Sequence, residues 1–573
     1  MKRSSYWIWV SSLVIVTTAC SLRPTLPQET ALAVIPVTQL VVTVVATSTI
    51  QLTPSATDAL PSITPTSIVP SPEATPPLAI TLTFEPSSEP GEETVGRVAL
   101  TTEPDQTSRA TPTQVAIIPT STPRPELPTP TASATAISHV SLPPPVVGAS
   151  PPRIYETTIS IPTYGYEIAF IPTDPENPIY PYPELDFALV QPPVPRTYRA
   201  VVLENGFVSV TILPELGGRI YRWVDKATGR RLLYENPVVK PTHWGYRGWW
   251  LAAGGIEWAF PVDEHGLNEW RPWQYSTGST AHGLGITVRD VEDRTGMEVG
   301  ATISLGTNHA YLVIQPWAKN NTGSAHSYQL WLNAMLALNG NTVSGQTEFI
   351  VPTNQVIVHS TSDGGLPGAG GTMGWPVHNG RQVNYYSNWN GWLGFFAPNV
   401  SHGFTALYDH AIDQGIVRVY NPGWPAGTKF FGPATISSFT WTDDYSNYVE
   451  LWSGATASFW SYATLNPGET VGWTEYWYPV NGIGGLTHAN RAAALKLDER
   501  GDHAEISLAV SGGVSGRVVL FANGHVAANW PITISPGQPF RAIWARPDGL
   551  DGPLGLRLEQ NDGSVLIQTG FVP

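Results

Sequence analysis

The chain has 573 residues, too long for one ordinary domain, and only 13% of them are charged. Its formal net charge is -15 and no sustained basic patch is present, so nucleic acid is not an expected partner. The single cysteine excludes an internal disulfide framework.

Residues 1–20 have the features of an export signal. A basic start, Met1-Lys2-Arg3, precedes an apolar run from Tyr6 to Val16, and Thr18-Ala19-Cys20 follows. This arrangement resembles a bacterial lipoprotein signal peptide, which predicts lipidation of Cys20 and an extracytoplasmic protein anchored to the cell membrane through that lipid. The alternatives are an ordinary secretory signal or an uncleaved anchor, and both also place the rest of the chain outside the cytoplasm.

Residues 21–152 are dominated by Thr, Pro, Ser and Ala. Proline disfavours helix, and few large apolar side chains are present to build a core. This composition predicts a disordered linker that acts as a stalk between the membrane and the remaining chain.

From residue 153 to residue 489 the chain alternates short β-type runs with turn residues, which predicts an all-β sandwich or barrel. Asn205-Gly206 lies between two such runs and predicts a hairpin. The best helical candidate is the short segment His488 to Lys496. Residues 490–573 contain further β-type runs and are predicted to form a small C-terminal β-sandwich.

Period-two alternation predicts which side chains share a face of the sheet. In the run Gln329 to Ala334, Trp331 and Asn333 point away from the aliphatic side chains, and in the run Tyr448 to Trp452, Glu450 and Trp452 do the same. Glu257 likewise points away from its apolar neighbours. A polar, aromatic face of this kind is typical of a concave binding surface, although ordinary amphipathic strands give the same pattern.

The segment Gly245 to Tyr275 combines tryptophans with charged side chains. Its members include Arg247, Trp249, Trp250, Glu257, Trp258, Asp263, Glu264, His265, Glu269, Trp270, Arg271 and Trp273. Indole rings stack on the C–H faces of sugars while charged groups bind the hydroxyls, so the density of this cluster favours a carbohydrate site. We expect Gly254 and Gly255 to permit close backbone packing, and the surrounding indoles to raise the pKa of Glu257 toward use as a general acid.

The core from about Tyr198 to Asn490 resembles the bacterial family known as domain of unknown function fifty-one-oh-seven. The matching segments are Gly217–Arg222, Asp225–Arg230, Leu233–Val238, Gly254–Trp258 and Glu475–Pro479. The resemblance implies a large antiparallel, galactose-mutarotase-like β-supersandwich that binds carbohydrate on one concave face. Aldose mutarotases use a His acid and a Glu base, but the strand Trp331 to Asn333, expected at the place of their His-bearing strand, carries no His. This departure argues against true mutarotation.

Three functions remain open from the sequence. The first is a surface lipoprotein that binds an oligo- or polysaccharide; the second is a glycosidase, lyase or epimerase on the same face; the third is a non-catalytic scaffold or protein-interaction module. The predicted acid/base residues are Glu257, Glu450 and His265, and the predicted sugar-binding residues are Arg247, Trp249, Trp250, Trp258, Trp331, Asn333, His402 and Trp452. No cofactor and no metal is predicted, because no His/Cys set has zinc spacing and no phosphate-binding loop is present.

Overall fold

The computed structural model describes residues 148–572. The predicted signal peptide, Cys20 and the predicted linker up to residue 147 lie outside the described residues. Within 148–572, no helix has the length and apolar character needed to cross a membrane.

Strands follow one another throughout residues 153–481. In chain order they are β1 (Arg153–Gly165), β2 (Phe170–Ile171), β3 (Glu184–Leu185), β4 (Gln191–Glu204), β5 (Val208–Leu213), β6 (Arg219–Asp225), β7 (Arg230–Arg231), β8 (Glu235–Thr242), β9 (Trp250–Gly254), β10 (Ile256–Ala259), β11 (Gln274–Thr280), β12 (Gly283–Val291), β13 (Glu298–Leu305), β14 (Leu312–Lys319), β15 (His326–Tyr328), β16 (Trp331–Leu336), β17 (Thr347–Ile350), β18 (Gln355–Thr361), β19 (Thr372–Gly374), β20 (Val377–His378), β21 (Arg381–Gln382), β22 (Leu393–Phe396), β23 (Phe404–Asp409), β24 (Gln414–Tyr420), β25 (Gly427–Gly432), β26 (Val449–Gly454), β27 (Ala463–Leu465), β28 (Thr470–Gly472) and β29 (Glu475–Asn481). Three single-turn 3-10 helices, Glu167–Ala169, Tyr386–Asn388 and Ser438–Thr440, lie between them.

Two large sheets dominate this part of the molecule. The first has 14 strands in the order β19-β18-β22-β25-β26-β16-β10-β6-β5-β4-β1-β8-β9, with β7 paired to β6. The second has nine strands in the order β11-β12-β13-β14-β29-β24-β23-β17, with β28 paired to β14. Apolar side chains from both sheets share one core, in which Ile256 and Leu332 of the first sheet are buried with Ile303 and Ile416 of the second. The predicted all-β sandwich is confirmed.

The hairpin predicted at Asn205-Gly206 joins β4 to β5. The Asn205 side-chain oxygen accepts hydrogen bonds from the backbone N–H groups of Phe207 and Val208, at 2.9 and 3.0 Å. An Asn side chain that bonds its own turn in this way closes the chain tightly enough for the two strands to pair.

The remaining strands follow residue 487. They are β30 (His488–Ala489), β31 (Ala493–Arg500), β32 (His503–Val510), β33 (Val514–Ala522), β34 (His525–Ile534), β35 (Phe540–Ala545), β36 (Leu554–Gln560) and β37 (Val565–Gly570). They form two four-stranded sheets, β30-β31-β32-β35 and β34-β33-β36-β37, around a core of their own.

The helix predicted for His488 to Lys496 is wrong. The Asn490 side-chain oxygen accepts hydrogen bonds from the backbone N–H groups of Ala492 and Ala493, at 2.8 and 3.2 Å. These bonds close a turn that joins β30 to β31. Beyond the turn, Leu495 enters the C-terminal core while Ala494 packs on the other side against the large domain. This burial on two opposite sides requires the period of a strand, and it overrides the helical propensity of the alanines.

Candidate functional site

Four adjacent strands of the first sheet carry a row of polar and aromatic side chains. Glu257 on β10 is opposite Asn333 on β16, Asn333 is opposite Trp452 on β26, and Trp452 is opposite Lys429 on β25. Glu450 precedes Trp452 by two residues and therefore points to the same side. The neighbouring residues Ile256, Leu332 and Leu451 face the core, so the alternation predicted from the sequence is confirmed.

Two glycines bring the backbone of β10 into position. Gly254 and Gly255 have φ angles of 75° and 79°, in the left-handed region that favours glycine. A side-chain carbon at Gly254 would lie 2.4 Å from the Tyr234 carbonyl oxygen, and one at Gly255 would lie 2.2 Å from that of Ile220. The expected close backbone packing before Glu257 is therefore present.

The loop after β10 carries His265 back over this face. This loop contains a turn from Asp263 to Gly266, which is closed by a 3.2 Å hydrogen bond from Gly266 N to Asp263 O. Glu264 within the turn has a φ of 53°. His265 Nδ1 lies 2.6 Å from Glu257 Oε1, and the imidazole stacks on the Trp250 ring with centroids 4.0 Å apart. A non-glycine residue held in the left-handed region beside a buried His–Glu pair is the kind of strain that clusters at functional sites.

Four donors converge on the Glu257 carboxylate. Oε1 faces His265 and accepts a hydrogen bond from Asn333 Nδ2 at 3.2 Å, while Oε2 accepts from Trp250 Nε1 at 3.1 Å and from Arg219 Nη1 at 3.4 Å. Burial opposes ionisation, but the charge and hydrogen bond of His265, together with Arg219 and Trp250, lower the pKa of Glu257 below its ordinary value. The expected rise of this pKa is wrong, because His265 and Arg219 bring positive charge to the carboxylate and the Trp250 indole also donates a hydrogen bond to it.

Burial also disfavours the charged form of His265, but the negative charge of Glu257 and its hydrogen bond raise the pKa of the imidazole above its ordinary value. Glu257 and His265 therefore form a buried ionic dyad. Among the described residues, Nε2 of His265 has no hydrogen-bond partner, so this nitrogen is available to a ligand.

Glu450 is the second buried carboxyl group of the face. Its Oε2 accepts a 2.8 Å hydrogen bond from Trp452 Nε1, and its Oε1 lies 3.5 Å from the same Asn333 Nδ2 that contacts Glu257. Burial raises the pKa of Glu450 above its ordinary value, against the opposing effects of Lys429 and His265. The two carboxyl groups are thus bridged by one amide, and their pKa values shift in opposite directions.

Lys429 is a site residue that the sequence reasoning missed. Its ammonium is buried 3.9 Å from Glu450 Oε2 and 4.4 Å from the centroid of the Trp452 ring. Burial lowers the pKa of Lys429 to about 8. The run Gly427 to Gly432 reads Gly-Thr-Lys-Phe-Phe-Gly and does not alternate polar and apolar residues, so alternation could not have placed Lys429 on the face of Glu450.

Three of the predicted stacking tryptophans cannot offer a ring to a sugar on this face. Trp258 lies in the main core on the opposite side of β10 and donates to the Gly218 carbonyl. Trp249 is buried in a separate cluster with Tyr166 and Leu251. Trp331 is on the correct face but fully buried, because its ring covers the backbone where Gly427 and Gly454 lack side chains.

Two other predicted binding residues have structural contacts. Arg247 is buried, pairs with Glu269 at 2.8 Å, donates to the Leu267 carbonyl and stacks on the Trp249 ring at 3.8 Å. It therefore braces the loop that carries His265. His402 is exposed and contacts Ser401 and His488 instead of the polar face.

The structure therefore brings together Trp250, Glu257, His265, Asn333, Glu450 and Trp452 and adds Arg219 and Lys429. We call this group the polar cluster; catalytic and sugar-binding roles for its members remain predictions.

Partly exposed side chains lie next to the polar cluster. Tyr462 is 49% exposed, and its hydroxyl lies 3.5 Å from Asp263 Oδ1 in the His265 loop. Tyr246 is 41% exposed and adjoins Gly245, where a side-chain carbon would lie 3.5 Å from the His265 ring. Burial and the charge of Glu264 raise the pKa of Asp263 to about 7. We call Tyr246, Tyr462 and Asp263 the rim.

Comparison with known families gives two matches. The model of the family described as domain of unknown function (DUF5107) matches residues 174–480, and that of the second domain of YphG-like protein matches residues 488–569. The first of these is the family that the sequence motifs resemble.

Among residues 148–572, no group of three or more His, Cys, Asp or Glu side chains is arranged to hold a metal ion.

Several solved structures also match this chain. A TPR-domain containing protein from Parabacteroides distasonis is 24% identical, with a TM-score of 0.50, over 58% of this chain and 56% of that one, so the chain spans just over half of its length. A galactose mutarotase-like protein from Lactobacillus casei is 11% identical over 49% of this chain and 100% of its own, with a TM-score of 0.34. One from Clostridium acetobutylicum is 10% identical over 50% and 96%, with a TM-score of 0.35. The match to the Parabacteroides distasonis protein supports a shared fold over that part of the chain.

Proposed function

This chain belongs to the family described as domain of unknown function (DUF5107), and on that premise we propose that it is a carbohydrate-active enzyme that transfers protons on a bound sugar. The galactose-mutarotase-like fold suggests a carbohydrate-related function. A fold does not define a reaction, and the type of reaction depends on the side chains of the polar cluster.

The observation that carries the proposal is the convergence of Glu257, His265 and Glu450. One amide, that of Asn333, lies within 3.5 Å of both carboxyl groups. His265 lowers the pKa of Glu257 and burial raises that of Glu450, and titratable groups whose environments move their pKa values apart are common in acid/base sites. The two groups proposed to exchange protons are His265, which Glu257 orients, and Glu450. Buried ionisable groups cost folding free energy unless they are paired, so a buried cluster in which His265 Nε2 has no protein partner favours a role in chemistry over a purely structural one.

We propose a role for each group. Glu257 fixes the His265 ring through Nδ1, which leaves Nε2 to exchange a proton with a sugar oxygen. Glu450 exchanges a proton with a second sugar oxygen. When one of the two donates, the other accepts, so each turnover leaves the two groups with their protonation states exchanged, and proton exchange with solvent restores the starting state before the next turnover.

Carbohydrate binding without turnover is the second candidate. The five tryptophans predicted to stack on a sugar are at most 2% exposed, which disfavours an open aromatic groove. Tyr246 and Tyr462 on the rim are exposed, however, and aromatic side chains of this kind stack on sugars. In this reading the polar cluster orients hydroxyl groups and no bond is broken.

An extracytoplasmic location, with a lipid on Cys20 as the membrane anchor, is part of the proposal. It is supported by the sequence of residues 1–20 alone.

The test is to incubate the full chain with a panel of free sugars, oligosaccharides and polysaccharides in D2O. NMR detects anomer exchange and deuterium incorporation at carbon, and mass spectrometry detects cleavage products. The variants are Glu450→Gln and His265→Gln, with His402→Asn as the matched control because His402 is exposed and has no contact with the polar cluster.

Turnover that falls at least about 100-fold in both site variants and persists in the control supports the enzyme, because one acid/base group typically contributes that much or more. Saturable binding without turnover supports the binding protein. Turnover that survives loss of both groups contradicts the assignment of the polar cluster.

A further inference from the structure

The Lys429 ammonium is the least satisfied charge of the polar cluster. Across residues 148–572 it has no hydrogen-bond partner, and the carboxylate that it faces, Glu450, is 3.9 Å away. Oε2 of Glu450 is already occupied by Trp452 Nε1 at 2.8 Å. Around the ammonium, the rings of Trp452, Phe459 and Phe431 have centroids at 4.4, 4.9 and 5.3 Å. Aromatic faces attract a cation, but they do not replace its hydrogen-bond acceptors.

The buried charges of the polar cluster do not balance. Arg219, protonated His265 and Lys429 are cationic, whereas Glu257 and Glu450 are the only carboxyl groups among its members, and all five side chains are buried. The cluster therefore has an excess of one positive charge even when both carboxyl groups are ionised. The excess increases when Glu450 keeps its proton. A buried charge is costly unless a counterion and hydrogen bonds compensate it.

Three further titratable side chains lie near Lys429: Asp263, Glu264 and His359. The charges of Glu264 and Asp263, in the His265 loop, act on Lys429 and raise its pKa, and both of these side chains are half-buried. His359, on β18, is near enough for Lys429 to lower its pKa further after the larger effect of burial, so this imidazole is neutral. Phe431 and His359 are also only half-buried, so the walls around the ammonium are partly in contact with solvent.

We infer that the Lys429 ammonium binds the carboxylate of an acidic sugar, so the substrate class of this site is the uronic acids. This inference rests on the proposed function and deepens it. One oxygen of the sugar carboxylate accepts hydrogen bonds from the N–H groups of Lys429 that have no partner in the protein. The negative charge of the sugar then cancels the excess positive charge of the polar cluster. The sugar ring then extends toward His265 and Glu450, which exchange its protons.

The test is calorimetric titration of the full chain with matched sugar pairs: glucose with glucuronate, galactose with galacturonate, and glucose 6-phosphate as a second anion. The variants are Lys429→Met, which keeps the length of the side chain, and Lys429→Arg, which keeps its charge. Lys319→Met is the matched control, because Lys319 is an exposed strand lysine. We expect a uronate to bind about tenfold or more tightly than its neutral partner, as one charge-assisted hydrogen bond provides.

That preference is expected to disappear in Lys429→Met, to remain largely in Lys429→Arg and to be unchanged in Lys319→Met. Circular dichroism and thermal unfolding check folding, and Lys429→Met is expected to unfold no earlier than wild type because it removes an uncompensated charge. Equal binding of uronate and neutral sugar, a preference that survives Lys429→Met, or tighter binding of the phosphate would each overturn the inference. Turnover of neutral sugars would leave the proposed function standing, whereas absence of both binding and turnover across the panel would reject both.

Discussion

Replacing Glu257 with Gln tests whether the polar cluster is held together by one carboxylate. In the native protein this side chain is the shared counterion of Arg219 and His265 and accepts hydrogen bonds from Trp250 and Asn333. Glutamine has the same shape but no charge, and its amide group presents two N–H donors to groups that are themselves donors. The substitution therefore leaves buried cations without a partner.

The size of the effect follows from burial. Arg219 has no exposed surface and Glu257 is 1% exposed. Removing one partner of a buried ion pair costs about 3–5 kcal/mol of unfolding free energy. The matched substitution Glu264→Gln changes a half-buried carboxylate in the loop that carries His265 and is expected to cost about 0.5 kcal/mol or less.

The loss of unfolding free energy in Glu257→Gln also depends on pH, and the direction of that dependence can be predicted. The folded protein lowers the pKa of Glu257, so its stabilisation is present above the ordinary value of 4.5 and is lost as the pH falls through the folded value. The pKa of His265 is raised, so its stabilisation is present below the ordinary value of 6.5 and is lost as the pH rises through the folded value. The difference between wild type and Glu257→Gln is therefore largest in the weakly acidic range between these limits.

The assay is guanidinium unfolding followed by tryptophan fluorescence at several pH values, with equal m values required before midpoints are compared. A Glu257→Gln protein as stable as Glu264→Gln at pH 6 would refute the reasoning. A deficit that grows toward pH 3 would contradict the direction of the Glu257 shift.

Three further outcomes are expected. Glu475→Gln, which leaves the fully buried guanidinium of Arg418 unpaired, is expected to cost about 3–5 kcal/mol in denaturant unfolding, and an unchanged midpoint would contradict this. Gly454→Ala places a methyl group 2.2 Å from the Trp331 ring and is expected to cost about 1–3 kcal/mol, measured as a fall in the thermal midpoint; a neutral result would mean that the ring moves freely. Because burial lowers the pKa of Lys429 to about 8, wild type is expected to gain up to about 1.4 kcal/mol per pH unit over Lys429→Met between pH 8 and 10.5, and parallel stability curves over that range would oppose the buried placement.

The direction of side chains in the strands could be predicted from the sequence. Alternation separated Glu257, Asn333 and Glu450 from their apolar neighbours, and the structure places these three within reach of one another. Two glycines in succession correctly indicated close backbone packing before Glu257. Such features are local, because each depends on the two-residue period of a strand or on the φ angle of one residue.

The roles of the aromatic side chains could not be predicted in the same way. A tryptophan-rich segment has the same composition whether its rings are exposed or buried, and here Trp249, Trp258 and Trp331 are buried against neighbouring elements. The prediction that the pKa of Glu257 is raised was wrong for a related reason. Burial was anticipated, but the donors that Arg219 and His265 supply lie 38 residues before it and in the following loop.

The amino-acid sequence by itself determined most of the β-strands, the side of the sheet on which Glu257, Asn333 and Glu450 lie and the resemblance to a family, because these depend on neighbours in the chain. Only the tertiary structure decided that Glu257 pairs with His265, that Glu450 is the carboxyl group with the raised pKa and that Lys429 joins them. These properties depend on which strands become adjacent and on how much water the adjoining loops exclude, and charges respond to distance in space and to burial instead of separation along the chain.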